Sequence, residues 1–177
     1  MQQKIVITGG PSTGKSTLID SLLKAGHSCQ KEISREVTLA ARAKGIEQYF
    51  LEDPLAFSKE LLKRRIEQYQ KATLMNKPIV FFDRSILDIL AYLKFSNTIH
   101  NFNFEEITKH CKFQQVFITP PWRAIYTTDN ERHETYDEAQ KIHEQLVITY
   151  QQFGYSPIEI PFGTPEERMN FILQHVA

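Results

Sequence analysis

Residues 9 to 17 read Gly9, Gly10, Pro11, Ser12, Thr13, Gly14, Lys15, Ser16, Thr17, and the order G-x-x-x-x-G-K-S within them is that of a phosphate cradle. Gly9 and Gly14 permit backbone angles and close approaches that a Cβ would block. Successive backbone N–H groups can then converge on one anion, at the positive end of a following helix. Lys15 would reach the β- and γ-phosphates as a point charge, and the Ser16 hydroxyl would ligate Mg²⁺, whose other ligands are water and phosphate oxygens. The ligands this pattern calls for are ATP and Mg²⁺.

Transfer of a phosphoryl group to a small acceptor needs, besides the cradle, a carboxylate at the acceptor hydroxyl, arginines to hold charge, and a cover that excludes water. Asp83 ends the apolar run "IVFFD" and is the expected acid that orders the metal. The residue after it is Arg84, where many hydrolytic ATPases of this kind carry a Glu to activate water, so a motor or transporter does not fit. A guanine-specific switch would carry N-K-x-D, and the nearest text, "NKPI" at 76 to 79, lacks the Asp and precedes a strand.

Glu32 falls at the end of the expected second strand, where an open sheet presents side chains to its ligand crevice, and is the candidate base; its plain alternative is a solvated surface acid. Arg35 either anchors the acceptor or pairs with Glu36 or Glu32. In the irregular stretch 120–134, Arg132 is the candidate to close over the γ-phosphate and Arg123 a second candidate contact, while Trp122 either stacks on a ligand ring or pins the stretch to the core. "KRR" at 63 to 65 reads as a solvated helix face. His133 and His143 show no ligand cluster.

The elements that must position these residues alternate. "KIVIT" (4–8) reads as a strand covered on both faces, followed by a helix from Lys15 to Ala25 that Gly26 stops. A weaker strand at 27–32 leads to a helix from Ser34 to Gly45. Asp53 as cap and Pro54 in the first turn open a long helix to about Leu74, with Leu55, Leu62, Ile66 and Tyr69 at helical spacing. Strands at 78–83 and 114–119, helices at "SILDILAYLKF" and near "FEEITKH", a long helix ending at Gly154, a short strand at 156–161 and a last helix capped by Thr164 and Glu167 complete an open α/β order.

The composition bounds the function. The 177 residues carry 21 Lys plus Arg against 21 Asp plus Glu, so no net field draws the chain to nucleic acid or an anionic membrane. No apolar stretch approaches the roughly 20 residues of a membrane span, and the start lacks the apolar core of a signal peptide. Cys29 and Cys111, far apart and without a CxxC pattern, fit thiols in a reducing cytoplasm.

Taken in order, "GGPSTGKST", "KEISRE", "FFDRS" and "PPWRAIYTTDNERHE" resemble the small P-loop kinases of the nucleoside and nucleotide kinase type, and closest the predicted-ATPase (AAA-type) domains related to ribosylnicotinamide kinase. The acid-Arg-Ser run at 83–85 looks like that of deoxynucleoside kinases. The resemblance implies a three-layer α/β/α P-loop fold with a five-stranded parallel sheet in the order 2-3-1-4-5. It further implies Arg84 facing the phosphates or acceptor, Glu32 as base, and "PFGTP" at 161–165 bordering the adenine. Lys31 and Ile33 flank Glu32 where ribosylnicotinamide kinase domains place an aromatic, which argues against nicotinamide riboside as the acceptor.

The expectation is therefore one kinase-like domain over 1–177, with a lid at about 120–134, that moves phosphate from ATP to a nucleoside-like hydroxyl. The rival is a nucleotide-binding regulator that hydrolyses slowly or not at all and acts through a protein partner. Neither a partner protein nor a homo-oligomer is indicated by the residues.

Overall fold

The structure, a computed structural model, describes residues 2–43, 45–47, 49–127 and 134–176. Strand β1 (Gln3–Gly9) is the middle of a five-stranded sheet in the order β2-β3-β1-β4-β5, with β2 at Ser28–Gln30, β3 at Ile79–Asp83, β4 at Gln115–Thr119 and β5 at Ile158–Glu159. All four pairings are parallel.

Side chains of β1 alternate between two cores, as the two-residue period of a strand requires. Ile5 and Ile7, with Phe81 and Phe117, meet Leu18, Ile19 and Leu22 of helix α1 (Lys15–Lys24) and Ile172 and Val176 of the C-terminal helix Pro165–Val176. On the opposite face Val6, Val80, Phe82, Val116 and Ile118 meet three further helices, at Pro54–Thr73, Ile86–Phe95 and Tyr136–Gln152. Burial on both faces is why "KIVIT" and "IVFF" carry so little polar alternation.

Between β2 and β3 lie α2 (Ser34–Arg42), α3 (Tyr49–Glu52) and α4 (Pro54–Thr73); after β3 come α5 (Ile86–Phe95) and α6 (Phe104–His110). One turn of 3₁₀ helix (Arg123–Ile125) follows β4, and α7 (Tyr136–Gln152) and α8 (Pro165–Val176) flank β5. The Asp53 carboxylate accepts the Ala56 N–H at 2.9 Å and starts α4 as expected. At the start of α8 the Thr164 N–H donates to Glu167 Oε2 at 2.7 Å and the Glu167 N–H to Thr164 Oγ1 at 3.2 Å, a reciprocal cap.

Four details depart from expectation. Both outer strands are shorter than expected, β2 by half and β5 reduced to Ile158–Glu159, since an edge strand has one neighbour to pair with. α3, with no buried residue, has no stripe by which to find it. Leu55 is 38% exposed, and the row of α4 that turns inward is Phe57, Leu61 and Arg65. Within "KRR", Arg64 does lie outside, paired with Glu60 at 2.7 Å, but Arg65 is buried.

Both cysteines are free thiols; burial, helped by Asp83, pushes the Cys29 thiol up to about 12, so it is not poised to react. Among the described residues no helix is long and apolar enough to cross a membrane, and no group of three His, Cys, Asp or Glu could hold a metal.

β1 ends at Gly9 beside Thr119 of β4, and a Cβ on Gly9 would lie 1.9 Å from Thr119 Oγ1. Gly26 also has a positive φ, +88°, but nothing within 4 Å of its Cβ position. Gly26→Ala should therefore cost only backbone strain, about 1–2 kcal/mol. Gly9→Ala should cost at least about 2 kcal/mol more, because one strand must move off another. Urea unfolding of the two variants, side by side with the parent, measures the difference.

Candidate active site

The loop from Gly9 to Ser16 is held from three sides. Thr119 Oγ1 lies 2.7 Å from Thr13 Oγ1, which donates to the Gly10 carbonyl at 3.1 Å. Ser12, itself at φ +54°, donates from Oγ to the Thr127 carbonyl at 2.6 Å. Gly14, at φ +74°, turns the chain into α1, whose first turn has neither a capping side chain nor an acidic residue. The N–H groups at that end are thus left for an anion.

Lys15 and Asp83 are both nearly closed off from solvent and form an ion pair. Asp83 stands where β3 leaves the sheet, opposite Ile7 of β1, and the Arg84 N–H still donates to the Ile7 carbonyl at 3.0 Å. The backbone then turns sharply, with Arg84 at φ +70°, and Ser85 caps α5.

That turn throws the Arg84 guanidinium against Glu32, Nε to Oε2 at 2.7 Å. The other oxygen of Glu32 accepts Arg65 Nη2 at 2.7 Å and the N–H groups of Ile33 and Ser34 at 2.9 and 3.0 Å. Arg65 also donates to the Asp83 carbonyl at 3.1 Å, so α4 holds the ends of β2 and β3 together. Burial alone would raise the Glu32 pKa, but Arg65, Arg84 and Lys15 outweigh it and hold the carboxyl well below the usual range.

Behind Arg84 lies a second carboxylate, Asp88. Its Oδ1 accepts from Thr8 Oγ1 at 2.5 Å and sits 3.3 Å from Arg84 Nη1; its Oδ2 accepts the Ser85 N–H at 2.8 Å and the Tyr150 hydroxyl at 2.6 Å. Burial and then Asp88 push the Tyr150 hydroxyl well above its ordinary pKa, so it stays a donor.

Lys15, Glu32, Arg65, Arg84 and Asp88 line one cavity of about 710 Å³, and Asp83 lies behind Lys15, off its lining. The loop from Gly10 to Thr17 forms one wall, and Glu32, Arg65 and Arg84 form the floor. Tyr49, Phe50, Phe57, Ile89 and Tyr92 supply an aromatic and aliphatic wall opposite, which the chain immediately around Glu32 does not. Trp122 and Arg35 also line it. Arg123 does not; its guanidinium lies over the Tyr136 ring at 5.1 Å. Arg132, with residues 128–133 of the expected lid, lies outside the described residues.

Arg65, Asp88 and Arg168, which also lines the cavity, were not among the expected site residues. Each left a trace. Arg65 and Arg168 sit four residues from apolar members of a buried helical row, Leu61 and Ile172, where a cation is out of place. Asp88 is the third residue after Ser85, the spacing of a capping box.

The donor set suits a magnesium–nucleotide complex. The α1 terminus has neither a capping side chain nor an acidic residue in its first turn, and a hydroxyl at Ser16 with a single carboxylate at Asp83 suits a metal that keeps waters and phosphate oxygens.

A parallel sheet of this order, with a glycine-rich phosphate loop leaving its middle strand, defines a P-loop fold of the nucleoside-kinase type. The chain belongs to the AAA domain family, whose sequence profile matches residues 4–168. Its structure is similar to that of deoxyadenosine kinase from M. mycoides with the products dCMP and a flexible dCDP bound, with a TM-score of 0.72 and 17% identity over 98% of each chain. The same enzyme with bound dCTP gives a TM-score of 0.67 and 16% identity, again over 98% of each chain. NadR protein in complex with NR is similar with a TM-score of 0.69 and 17% identity, over 99% of this chain and 50% of that one. No curated protein is matched by the sequence.

Arg65 holds Glu32 ionised, so Arg65→Met should raise the Glu32 pKa toward the ordinary 4.5 and cost about 3–5 kcal/mol at pH 7. A depressed carboxyl pKa stabilises above its unfolded value and loses that contribution as pH falls through the folded one. The acid-unfolding midpoint of Arg65→Met should therefore move to higher pH, which circular dichroism across an acid titration would show.

Proposed function

We propose that the protein is a kinase that transfers the γ-phosphoryl group of ATP to a hydroxyl of a small, nucleoside-like metabolite. The observation that carries this is the position of Glu32: it lies in the same cavity as the phosphate loop, gripped by two guanidinium groups, beside an aromatic wall fit for a ring. A water-activating carboxylate at the residue after Asp83 is missing, and Arg84 takes that place. The similarity to a deoxyadenosine kinase, and to NadR in complex with NR, supports an acceptor of this class.

In this reading the N–H groups from Ser12 to Thr17 hold the triphosphate and Lys15 turns from Asp83 to its outer phosphates. Ser16 and Asp83 would hold and order Mg²⁺, which would supply charge neutralisation at those oxygens when bound. Glu32 accepts a hydrogen bond from the acceptor hydroxyl. Its low proton affinity suits a loose transition state, in which the proton leaves late and the carboxylate chiefly orients the nucleophile. Arg84, once shared with the incoming phosphoryl group, offsets the charge that spreads over it, and Arg132 is proposed to cover the γ-phosphate. Arg35 and Trp122 contact ligand at the cavity rim.

The test is mass spectrometry of a pool of nucleosides and other small metabolites after incubation with the protein, ATP and Mg²⁺. A new phosphorylated species is expected, reduced at least about 10²-fold in rate by Lys15→Ala. Glu32→Gln should bind ATP in calorimetry yet transfer poorly. ATP consumed or bound with no phosphorylated product would favour a nucleotide-binding regulator instead, and unchanged transfer in Lys15→Ala would overturn the phosphate assignment.

A further inference from the structure

Asp88 holds more donors than its place in the helix asks of it. The Ser85 N–H, donated to Oδ2 at 2.8 Å, is all that the cap of α5 takes from this carboxylate. Three further donors reach it from three parts of the chain: Thr8 Oγ1 of β1 at 2.5 Å, the Tyr150 hydroxyl of α7 at 2.6 Å, and Arg84 Nη1 at 3.3 Å. Tyr150 gives its one proton to Asp88, so Ser85 Oγ, 2.6 Å away, donates to the Tyr150 oxygen and fixes that hydroxyl in turn. Asp88 is 2% exposed and Tyr150 is fully buried. Neutral donors orient a buried carboxylate but leave its charge unanswered, and Arg84 is the cation that answers it.

Arg84 is divided between two carboxylates, and unequally. Its Nε lies 2.7 Å from Glu32 Oε2, its Nη1 3.3 Å from Asp88 Oδ1. Glu32 Oε1 already accepts from Arg65 and from the N–H groups of Ile33 and Ser34, which fills the lone-pair sites of that oxygen. In the proposed reaction the acceptor hydroxyl must therefore come to Oε2, the oxygen that Arg84 now occupies. The guanidinium has to yield there without leaving the site, since the phosphoryl group arrives at the same point. The backbone of Arg84 is not free to carry it away: it sits at φ +70°, in a left-handed turn tied to the Ile7 carbonyl by its N–H at 3.0 Å. What is left is rotation of the side chain, which lies over the Tyr92 ring at 5.4 Å, toward the second carboxylate.

We propose that Asp88 is the positioning residue for Arg84 in phosphoryl transfer: pinned by Thr8, Ser85 and Tyr150, it is the seat on which the guanidinium closes as the acceptor hydroxyl takes Glu32 Oε2. This rests on the kinase reading above. With Asp88 in place, Arg84 keeps a short tether and its remaining N–H groups turn to the phosphoryl oxygens. Without the charge at Asp88, Arg84 has one carboxylate left to answer and closes on Glu32, over the oxygen that the hydroxyl needs. In this role Asp88 acts through Arg84 and not on either ligand.

A double-mutant cycle tests this. The parent, Asp88→Asn, Arg84→Ala and the double variant are given Mg²⁺, ATP labelled at the γ-phosphate and a mixture of the common ribo- and deoxyribonucleosides, and kcat is measured on the nucleoside that the parent labels fastest. Asp88→Asn keeps a carbonyl oxygen to cap α5, and calorimetry should give it the parent's ATP affinity within about twofold. Its kcat should fall at least about tenfold. In the Arg84→Ala background the same change should alter kcat by less than about twofold, because the group it positions is gone. A tenfold loss that persists without Arg84 would overturn the proposal, as would a matching loss of ATP affinity, which would make Asp88 a support of β1 through Thr8. If Asp88→Asn does not fold, Tyr150→Phe carries the test: it leaves the Ser85 N–H bond intact, frees one side of the carboxylate, and should lower kcat severalfold with Arg84 present and not without it. An unchanged kcat in that variant, or an equal loss without Arg84, would overturn the proposal too. No labelled nucleotide from the parent would overturn the kinase reading and this inference with it; equal kcat in the parent and Asp88→Asn would overturn the inference alone.

Discussion

Six charges alternate along the carboxyl edge of the sheet. Lys15 meets Asp83, Arg65 bridges the Asp83 backbone to Glu32, and Arg84 joins Glu32 to Asp88. Three cations balance three carboxylates, so the row can be buried without a stranded charge. The row draws on α1, α4, α5, the end of β3 and the chain just after β2. The row also sets a condition on ligand binding. A polyphosphate entering a neutral site brings several negative charges, and cations must be turned toward it or brought with it. Lys15 and Arg84 are the ones positioned to turn, since each now answers a carboxylate that could instead face a metal or a hydroxyl.

The fold was legible because its signals are local. The glycine spacing, the apolar runs of β1 and β3, and the caps at Asp53 and Thr164 each state their own geometry, and the sheet order followed from resemblance to a known class. What the sequence hid depends on a third dimension. Arg65 sits in a run of three basic residues that describes a wet surface, and only the turn of α4 places its middle row inward. Arg168 is concealed likewise, one turn before Ile172 in α8. Asp88 shows as half of a capping box, but its bonds to Thr8 and Tyr150 span 80 and 62 residues of chain.

The errors have physical causes of the same kind. Arg123, a candidate ligand contact in the irregular stretch 120–134, begins a 3₁₀ turn and has its guanidinium over the Tyr136 ring. The outer strands were read too long because an edge strand pairs with one neighbour only, β2 over Ser28–Gln30 and β5 over Ile158–Glu159. Trp122 was left between two roles, and the structure gives both a footing: it rests on Phe162 and Arg168, and it lines the cavity.

The two walls of the cavity are made of unlike material. The phosphate wall is backbone wedged between strands, where an added methyl at Gly9 collides with β4. The opposite rim is partly α3, which buries none of its four residues, and Leu39 and Leu51 at its mouth are each 60% exposed. Tyr49 and Phe50 of α3 pack on Phe57 of the core, but Leu39 and Leu51 do not, so substitutions at those two leave the core and the charge row untouched. On the kinase reading proposed above, the chemistry of the site is thus insulated from its choice of partner, and a lineage could exchange one acceptor for another by a handful of surface changes while the machinery beneath stayed as it is.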